Sequence, residues 1–435
     1  MQRLSKSLVA TLKGVDKHGY DRADLQNGIV HIGLGGFHRA HQAYYTEQVL
    51  NSGDLRWGIK GASLQSTRSK DALSPQDFLY TLSTRDTDQE SLALQGGLLD
   101  IVTDADALQA AIANPTVKLV TLTITEKGYV EGEGVAAILA HAIKARMQLD
   151  APLTIVSCDN LTANGRVLRG CVESVCDAEV LSWMQDHVSF PSSMVDRITP
   201  QTTEADVERI TQLAGYQDAS PVVCEPFCQW IIEDDFRSDR PEWEAGGAMF
   251  VTDVAPYEQA KLRMLNASHS MFAYLGLLKG YEYVHEAAVD QTLSQFVLDA
   301  LDQEVIPNID VPKAMNAGEY VQSIMQRFRN SAVPYRTAQV ASDGSLKLPQ
   351  RIYPTAQTIW TSGQQAPRLE LALCAWLKTL RDPSISYPDP GAEDIRSVKD
   401  DEFDRVRNTL WKSFPVDALN RLERRYLELS VEELV

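Results

Sequence analysis

A chain of 435 residues, 44% hydrophobic and 23% charged, has the composition of a soluble globular protein. That composition argues against a disordered chain, and the length, too great for one ordinary core, predicts two domains. The formal net charge of −18 argues against nucleic acid and anionic membranes as partners, because both select basic faces.

No basic start leads into an apolar segment, and no apolar run reaches about eighteen residues, so neither export nor membrane insertion is expected. Six cysteines without a C-x-x-C pair suggest neither a disulfide framework nor a cysteine zinc site, and a reducing cytoplasm fits them.

In the first half, β-rich runs alternate with helical stretches, the pattern of a mostly parallel sheet with its ligands at the strand C-termini. The run at 28–33 reads as a strand that enters Gly33-Leu34-Gly35-Gly36-Phe37-His38. Glycines there permit a tight turn and let backbone N–H groups approach a pyrophosphate at a helix N-terminus, here the helix predicted over 40–50. His38 stands where a third glycine is usual, so the glycine pattern alone also fits a plain strand-to-helix turn. His38 and His41 read as packing around this loop rather than as zinc ligands, since a catalytic zinc would need further ligands.

A second strand at 57–64 leads into Gln65-Ser66-Thr67-Arg68-Ser69-Lys70, with no carboxylate before Asp71. An acidic residue there would bind the ribose 2′-OH of NAD, whereas Arg68 leaves room for the 2′-phosphate of NADP. Strands over 117–125 and 153–157 each run into polar clusters, Glu126-Lys127-Gly128-Tyr129 and Cys158-Asp159-Asn160. A doubly wound sheet gathers its site at such positions.

From about residue 255 the apolar spacing becomes helical, at 257–276, 290–305 and 317–329, and the stretch 400–434 is charged and amphipathic. These features predict an α/β chain: a Rossmann-like dinucleotide-binding domain over 1–255 and a mainly helical domain over 256–435. On an ideal helix Lys261, Asn266 and His269 fall within an arc of about 140°. Alcohol oxidation by hydride transfer needs a base and donors for the developing alkoxide, and such a face supplies both. Glu258 can stand beside Lys261, either as a solvated ion-pair partner or as a proton relay. Tyr257-x-x-x-Lys261 imitates the pair of short-chain dehydrogenases, but residues 242–248 lack the serine that such a site requires.

Seven ordered blocks carry a wider likeness: HIGLGGFHRAHQAYY (31–45), TLTITEKGY (121–129), SCDN (157–160), FPSSMVDRITP (190–200), CEPFCQWIIED (224–234), KLRMLNASH (261–269) and DGSLKLPQR (343–351). The chain resembles the polyol-specific long-chain dehydrogenase family, which includes mannitol 2-dehydrogenases and fructuronate reductases (mannonate oxidoreductases). The resemblance implies metal-independent alcohol–ketone redox with NAD, with Lys261 as general base and Asn160 and Asn266 stabilising the oxyanion. His269 would orient the substrate, with Asp196 and Lys347 at the substrate. Gly33, Gly35, Gly36, Phe37, His38, Arg68, Thr125 and Glu126 are the candidate cofactor-binding residues.

Fructuronate-reductase-like members resemble this chain at Lys127, Arg263 and Arg351, cations suited to a substrate carboxylate. Mannitol-dehydrogenase-like members resemble it in HRAHQAYY, DRITP and KGYEYVHE but tend to carry Gly for Lys127 and Arg for Gln339. D-mannonate/D-fructuronate is therefore the expected pair, with mannitol/fructose as the alternative. A non-catalytic sugar sensor is disfavoured because Lys261, Asn266, His269 and Asn160 are all present. A monomer and a dimer both fit.

Overall fold

The structure is a computed structural model, and it describes residues 1–392, 411 and 413–428. Backbone packing divides the chain into two units, Met1–Ala255 and Pro256–Val435.

The N-terminal unit is built on twelve strands: β1 (Asn27–Ile32), β2 (Gly58–Ala62), β3 (Tyr80–Asp86), β4 (Gln89–Gln95), β5 (Leu98–Val102), β6 (Leu119–Leu122), β7 (Leu153–Ser157), β8 (Val188–Ser189), β9 (Ser193–Asp196), β10 (Val222–Cys224), β11 (Gln229–Glu233) and β12 (Met249–Val251). Six form a sheet in the order β5-β2-β1-β6-β7-β8, every neighbouring pair parallel. From β1 the chain builds outward through β2 to β5, then returns to lay β6 on the other side of β1. The order therefore reverses between β1 and β6, and a crevice opens at their C-terminal ends.

Alternation along the strands feeds two cores. Ile29 and Leu119 pack on one face with Tyr45, Trp57, Trp230 and Trp243. Val30, Ile32, Val120 and Leu122 pack on the other with Leu139, Ile143 and Leu168. Two three-stranded sheets, β10-β3-β4 and β12-β11-β9, complete this unit.

β6 is shorter than its apolar run of 117–125. The Asp159 carboxylate accepts the N–H groups of Ile124 (3.0 Å) and Thr125 (2.8 Å), which takes both residues out of the ladder. The helix expected over 40–50 is broken at His41, between Gly36–Ala40 and Gln42–Asn51.

In the C-terminal unit the described residues form helices, including Ala255–Lys261 at its start, Ala267–Leu278, Gln291–Ala300, Ala317–Arg329, Gly344–Arg351 and Pro367–Arg381. Within the amphipathic stretch 400–434, helix Val416–Glu428 buries Ala418, Leu419 and Leu422. Residues 400–410, 412 and 429–434 lie outside the described residues. No helix among the described residues is long and apolar enough to cross a membrane.

Two buried charges hold the sheet's surroundings. Arg146 is fully buried and donates to the carbonyls of Ala151, Ile112 and Asn114 (2.9 Å each) and Pro152 (2.6 Å), and burial pulls its pKa down to about 10. Arg146→Met should leave these acceptors unpaired and cost roughly 3 kcal/mol, read as a lower urea midpoint at unchanged m-value.

Glu47 accepts the Tyr20 hydroxyl (2.7 Å) and the amides of Gly96 and Gly97 (3.0 Å each). Burial pushes its carboxyl up to about 7 from the usual 4.5. The folded state thus holds this proton more tightly than the unfolded chain. Its contribution is complete below pH 4.5 and is lost as pH rises through 7. Glu47→Gln, which copies the protonated shape, should flatten the fall in urea midpoint between those limits; an unaltered slope would contradict this.

Candidate active site

The crevice between β1 and β6 is locked backbone against backbone. Gly33 has φ +93°, and a Cβ there would meet the Thr123 carbonyl oxygen at 2.1 Å. Thr123 Oγ1 donates to the Gly33 carbonyl (2.8 Å). His31 Nε2 lies 3.0 Å from Thr123 Oγ1, and Nδ1 lies 2.8 Å from Thr121 Oγ1. With the Thr123 proton committed to Gly33, Nε2 carries the ring hydrogen and Nδ1 accepts from Thr121. Burial pulls the His31 pKa down to about 3, so this ring is neutral. His38 stacks on it at 3.4 Å between centroids. Its own pKa is lowered by burial and then by His31, Arg39 and His41.

Gly35 and Gly36 differ from Gly33. A Cβ at either would meet nothing nearer than 3.8 Å and 3.9 Å, so internal packing does not require glycine there. Phe37 stacks on His41 at 5.1 Å, and His41 Nε2 donates to the Gln229 carbonyl (2.9 Å). At the end of β2, the Ser66 hydroxyl accepts the N–H of the exposed Arg68 (3.1 Å). Asp71 is engaged by the Thr67 hydroxyl (2.8 Å), and Ser69 Oγ reaches the Leu34 carbonyl (3.4 Å). The β2 loop is thereby tied to the glycine turn.

Thr125 sits at φ 62°, ψ 165°, a region almost confined to glycine and costing a β-branched residue about 1–3 kcal/mol. Asp159 holds it there, accepting both amides while also taking the Tyr129 hydroxyl (2.7 Å). Glu126 and Lys127, next along, are exposed. Asn160 follows Asp159 and is exposed. Its loop is anchored by buried Asn164, which donates to Asp159 O (2.9 Å) and Ser193 O (2.8 Å). Asp196 ends β9 and is buried. Sequence reasoning assigns no role to Asp159, Tyr129, His31 or Thr123. The polar blocks after strands 117–125 and 153–157 signal Tyr129 and Asp159, whereas His31 and Thr123 lie within the apolar runs themselves.

In the C-terminal unit, Glu258 and Lys261 lie on helix Ala255–Lys261, and both are buried. A π-helical turn, Leu262–Asn266, follows, in which the Ala267 N–H reaches back five residues to the Leu262 carbonyl. This corrects the ideal-helix spacing: an i→i+5 repeat brings Lys261 and Asn266, five apart, closer to one face than the α-helical arc of about 140°. His269 follows on helix Ala267–Leu278, its ring against Phe328 (5.0 Å, stacked) and Tyr335 (5.0 Å, edge-on).

Arg351 ends helix Gly344–Arg351. Its Nη1 donates to the Asn266 carbonyl (3.4 Å) and Ser270 Oγ (3.1 Å), and burial lowers its pKa. Arg263 donates to Gln350 O (2.6 Å) and Gln259 Oε1 (2.9 Å), and Lys347 Nζ to Ser342 O (2.6 Å). Among the described residues, no group of three or more His, Cys, Asp or Glu could hold a metal ion.

Comparison with known proteins places these features in a family. The Mannitol dehydrogenase Rossmann domain matches residues 27–245 and the Mannitol dehydrogenase C-terminal domain matches 253–411. D-mannonate oxidoreductase of Escherichia coli is 33% identical over 407 residues, 84% of this chain and 82% of that protein. Mannitol 2-dehydrogenase of Pyrenophora tritici-repentis is 35% identical over 437 residues, 91% and 77% of the two chains. The solved Pseudomonas fluorescens mannitol 2-dehydrogenase, a ternary complex with NAD and D-mannitol, superposes with a TM-score of 0.86 at 35% identity, covering 100% of this chain and 98% of that one. The chain belongs to the mannitol dehydrogenase family of oxidoreductases.

Proposed function

We propose that this chain is an NAD(P)-dependent, metal-independent oxidoreductase of the cytoplasm that interconverts D-mannonate and D-fructuronate. A dinucleotide fits the residues present. Gly35 and Gly36 leave open space where no packing demands glycine, and amides of a first helical turn lack intrahelical acceptors and suit a pyrophosphate. Gly33, Phe37 and His38 shape that turn, and Thr125 and Glu126 stand at the end of β6. The solved relative's NAD complex favours NAD, while Arg68, exposed at the end of β2, accommodates NADP. The bound nicotinamide supplies the hydride acceptor or donor.

In this reading, buried Lys261 takes the hydroxyl proton as a neutral amine when the alcohol is oxidised, and returns it to the ketone oxygen in the reverse direction. Glu258, three residues before it, relays the proton towards water. The amides of Asn160 and Asn266 donate to the developing alkoxide. His269, fixed between Phe328 and Tyr335, orients the sugar together with Asp196 and Lys347.

Arg351 carries the choice of a sugar acid. Arg351 is half-buried next to the Asn266 carbonyl, and among the described residues its guanidinium bonds through Nη1 alone and has no carboxylate partner. An anion is what such a cation lacks, and a carboxylate matches its fork. Arg263 and Lys127 add charge on the same account, and the D-mannonate oxidoreductase relative agrees. A neutral polyol is the second reading, favoured by the likeness to the mannitol complex.

The test is a comparison of NADH and NADPH against fructuronate and fructose, followed by nicotinamide absorbance. Lys261→Ala should lower kcat by about 10³-fold or more while the NADH dissociation constant, read by fluorescence, is unchanged; retained turnover removes Lys261 as base. Arg351→Met should raise KM for fructuronate by about 10–100-fold, the worth of a charge-assisted pair, and leave KM for fructose nearly as it was. Equal effects on both substrates would refute the carboxylate role.

A further inference from the structure

Helix Gly344–Arg351 carries both Lys347 and Arg351, yet it does not cap itself. Asp343, at its N-cap, has φ 58° and ψ 31°, and its side chain makes no capping bond. The cap comes from a segment more than forty residues on in the chain. Asp389, only 2% exposed, accepts the Ser345 N–H (3.1 Å to Oδ2, 3.3 Å to Oδ1), the Ser345 hydroxyl and the Trp376 indole N–H (3.1 Å). The Pro388 carbonyl accepts the Asp343 N–H (2.9 Å), and Ser345 Oγ in turn accepts the Gly391 N–H (3.0 Å).

The packing around this knot leaves no slack. A Cβ on Gly344 would meet Trp376 Nε1 and Tyr274 Oη at 2.4 Å, and one on Gly391 would meet Ser345 Oγ at 2.4 Å. Tyr274 belongs to helix Ala267–Leu278, which also bears His269. The N-terminal end of the Lys347–Arg351 helix is therefore packed tightly against both the helix of His269 and helix Pro367–Arg381.

We propose that Asp389 is a positioning residue for substrate binding, fixing the axial placement of the helix that presents Lys347 and Arg351. This rests on the reading that those two cations hold the sugar. A carboxylate at a helix N-terminus complements the dipole and the orphan amides. Here it also bridges three elements through Ser345 and Trp376. Without it, the first turn loses its acceptor, and Lys347 and Arg351, three and seven residues along, shift together. Displacements of about 1 Å in positioning groups cost up to about 10²-fold.

The experiment compares the wild type with Asp389→Ala, Asp389→Asn and Ser345→Ala. Steady-state kinetics use fructuronate and fructose as substrates, alongside NADH binding by fluorescence and thermal midpoints. Asp389→Ala and Ser345→Ala should raise KM for the sugar about tenfold or more, with kcat less affected and NADH affinity unchanged. Asp389→Asn, which retains an acceptor for the Ser345 N–H, should recover most of the KM.

A lowered thermal midpoint with KM within about twofold of wild type would reduce Asp389 to a structural cap and overturn the proposal. So would parallel loss of KM, kcat and NADH affinity. If the wild type reduces fructose and not fructuronate, the sugar-acid reading fails, while the KM shift for fructose still decides Asp389. If the wild type turns over neither, both fall.

Discussion

Gly33 and Thr123 touch backbone to backbone, and the crevice of the N-terminal unit depends on that contact. A side chain at Gly33 would drive a Cβ to 2.1 Å from the Thr123 carbonyl, separating β1 from β6 where the strand order reverses. The neighbouring polar groups serve this contact. Thr123 donates to Gly33 O, His31 buttresses Thr123 from within the strand, and Asp159 collects the next two amides. Three strand ends, β1, β6 and β7, are joined through one run of hydrogen bonds. A buried network of this kind rigidifies only when every member is satisfied, and the neutral His31, with both nitrogens engaged, meets that condition.

The same economy appears in the helix of Lys261. An uninterrupted α-helix would spread Lys261 and Asn266 apart. The π turn uses one extra residue to draw them together, and π turns recur at functional sites. Its backbone is weaker than that of an α-helix. Arg351, from a different helix, donates to the Asn266 carbonyl within it, so one side chain both supports the turn and offers charge beside it.

Legibility in the sequence followed the range of the interactions. β7 was readable to the residue, because Leu153–Ser157 is a short β-prone run between Pro152 and the polar block that opens at Cys158-Asp159, and it is buried on both faces. β6 was overextended because the amides of Ile124 and Thr125, the end of its run, are bonded to a side chain, Asp159, more than thirty positions away. The helical character of 257–276 was plain from its apolar spacing, whereas the π turn inside it leaves no mark in composition. Asp389 was equally silent. A buried carboxylate capping a distant helix looks, in sequence, like any acidic residue in a proline-rich loop. The polar blocks that end strands were legible as a group, but periodicity does not separate Asn160, a candidate ligand to substrate, from Asp159, which holds the loop.

Two arginines show how contacts distinguish a structural cation from one that seeks a ligand. Arg146 is fully buried and Arg351 half-buried, and neither pairs with a carboxylate among the described residues. Burial lowers the pKa of each. Arg146 uses Nε and both terminal nitrogens on four carbonyls of the segments that lead into β6 and β7, four of its five donors. Arg351 bonds through Nη1 alone, and the rest of its fork remains uncommitted among the described residues. A guanidinium has five donors in fixed geometry, and desolvating it without using them is costly. The chain tolerates that cost at one end of a short helix, next to the carbonyl of a candidate oxyanion-stabilising asparagine. In a protein whose net charge is −18, an anionic substrate must be drawn by local charge against the overall field. A cation held ready in this way, with Lys347 one turn earlier on the same helix, is the arrangement that such a substrate requires.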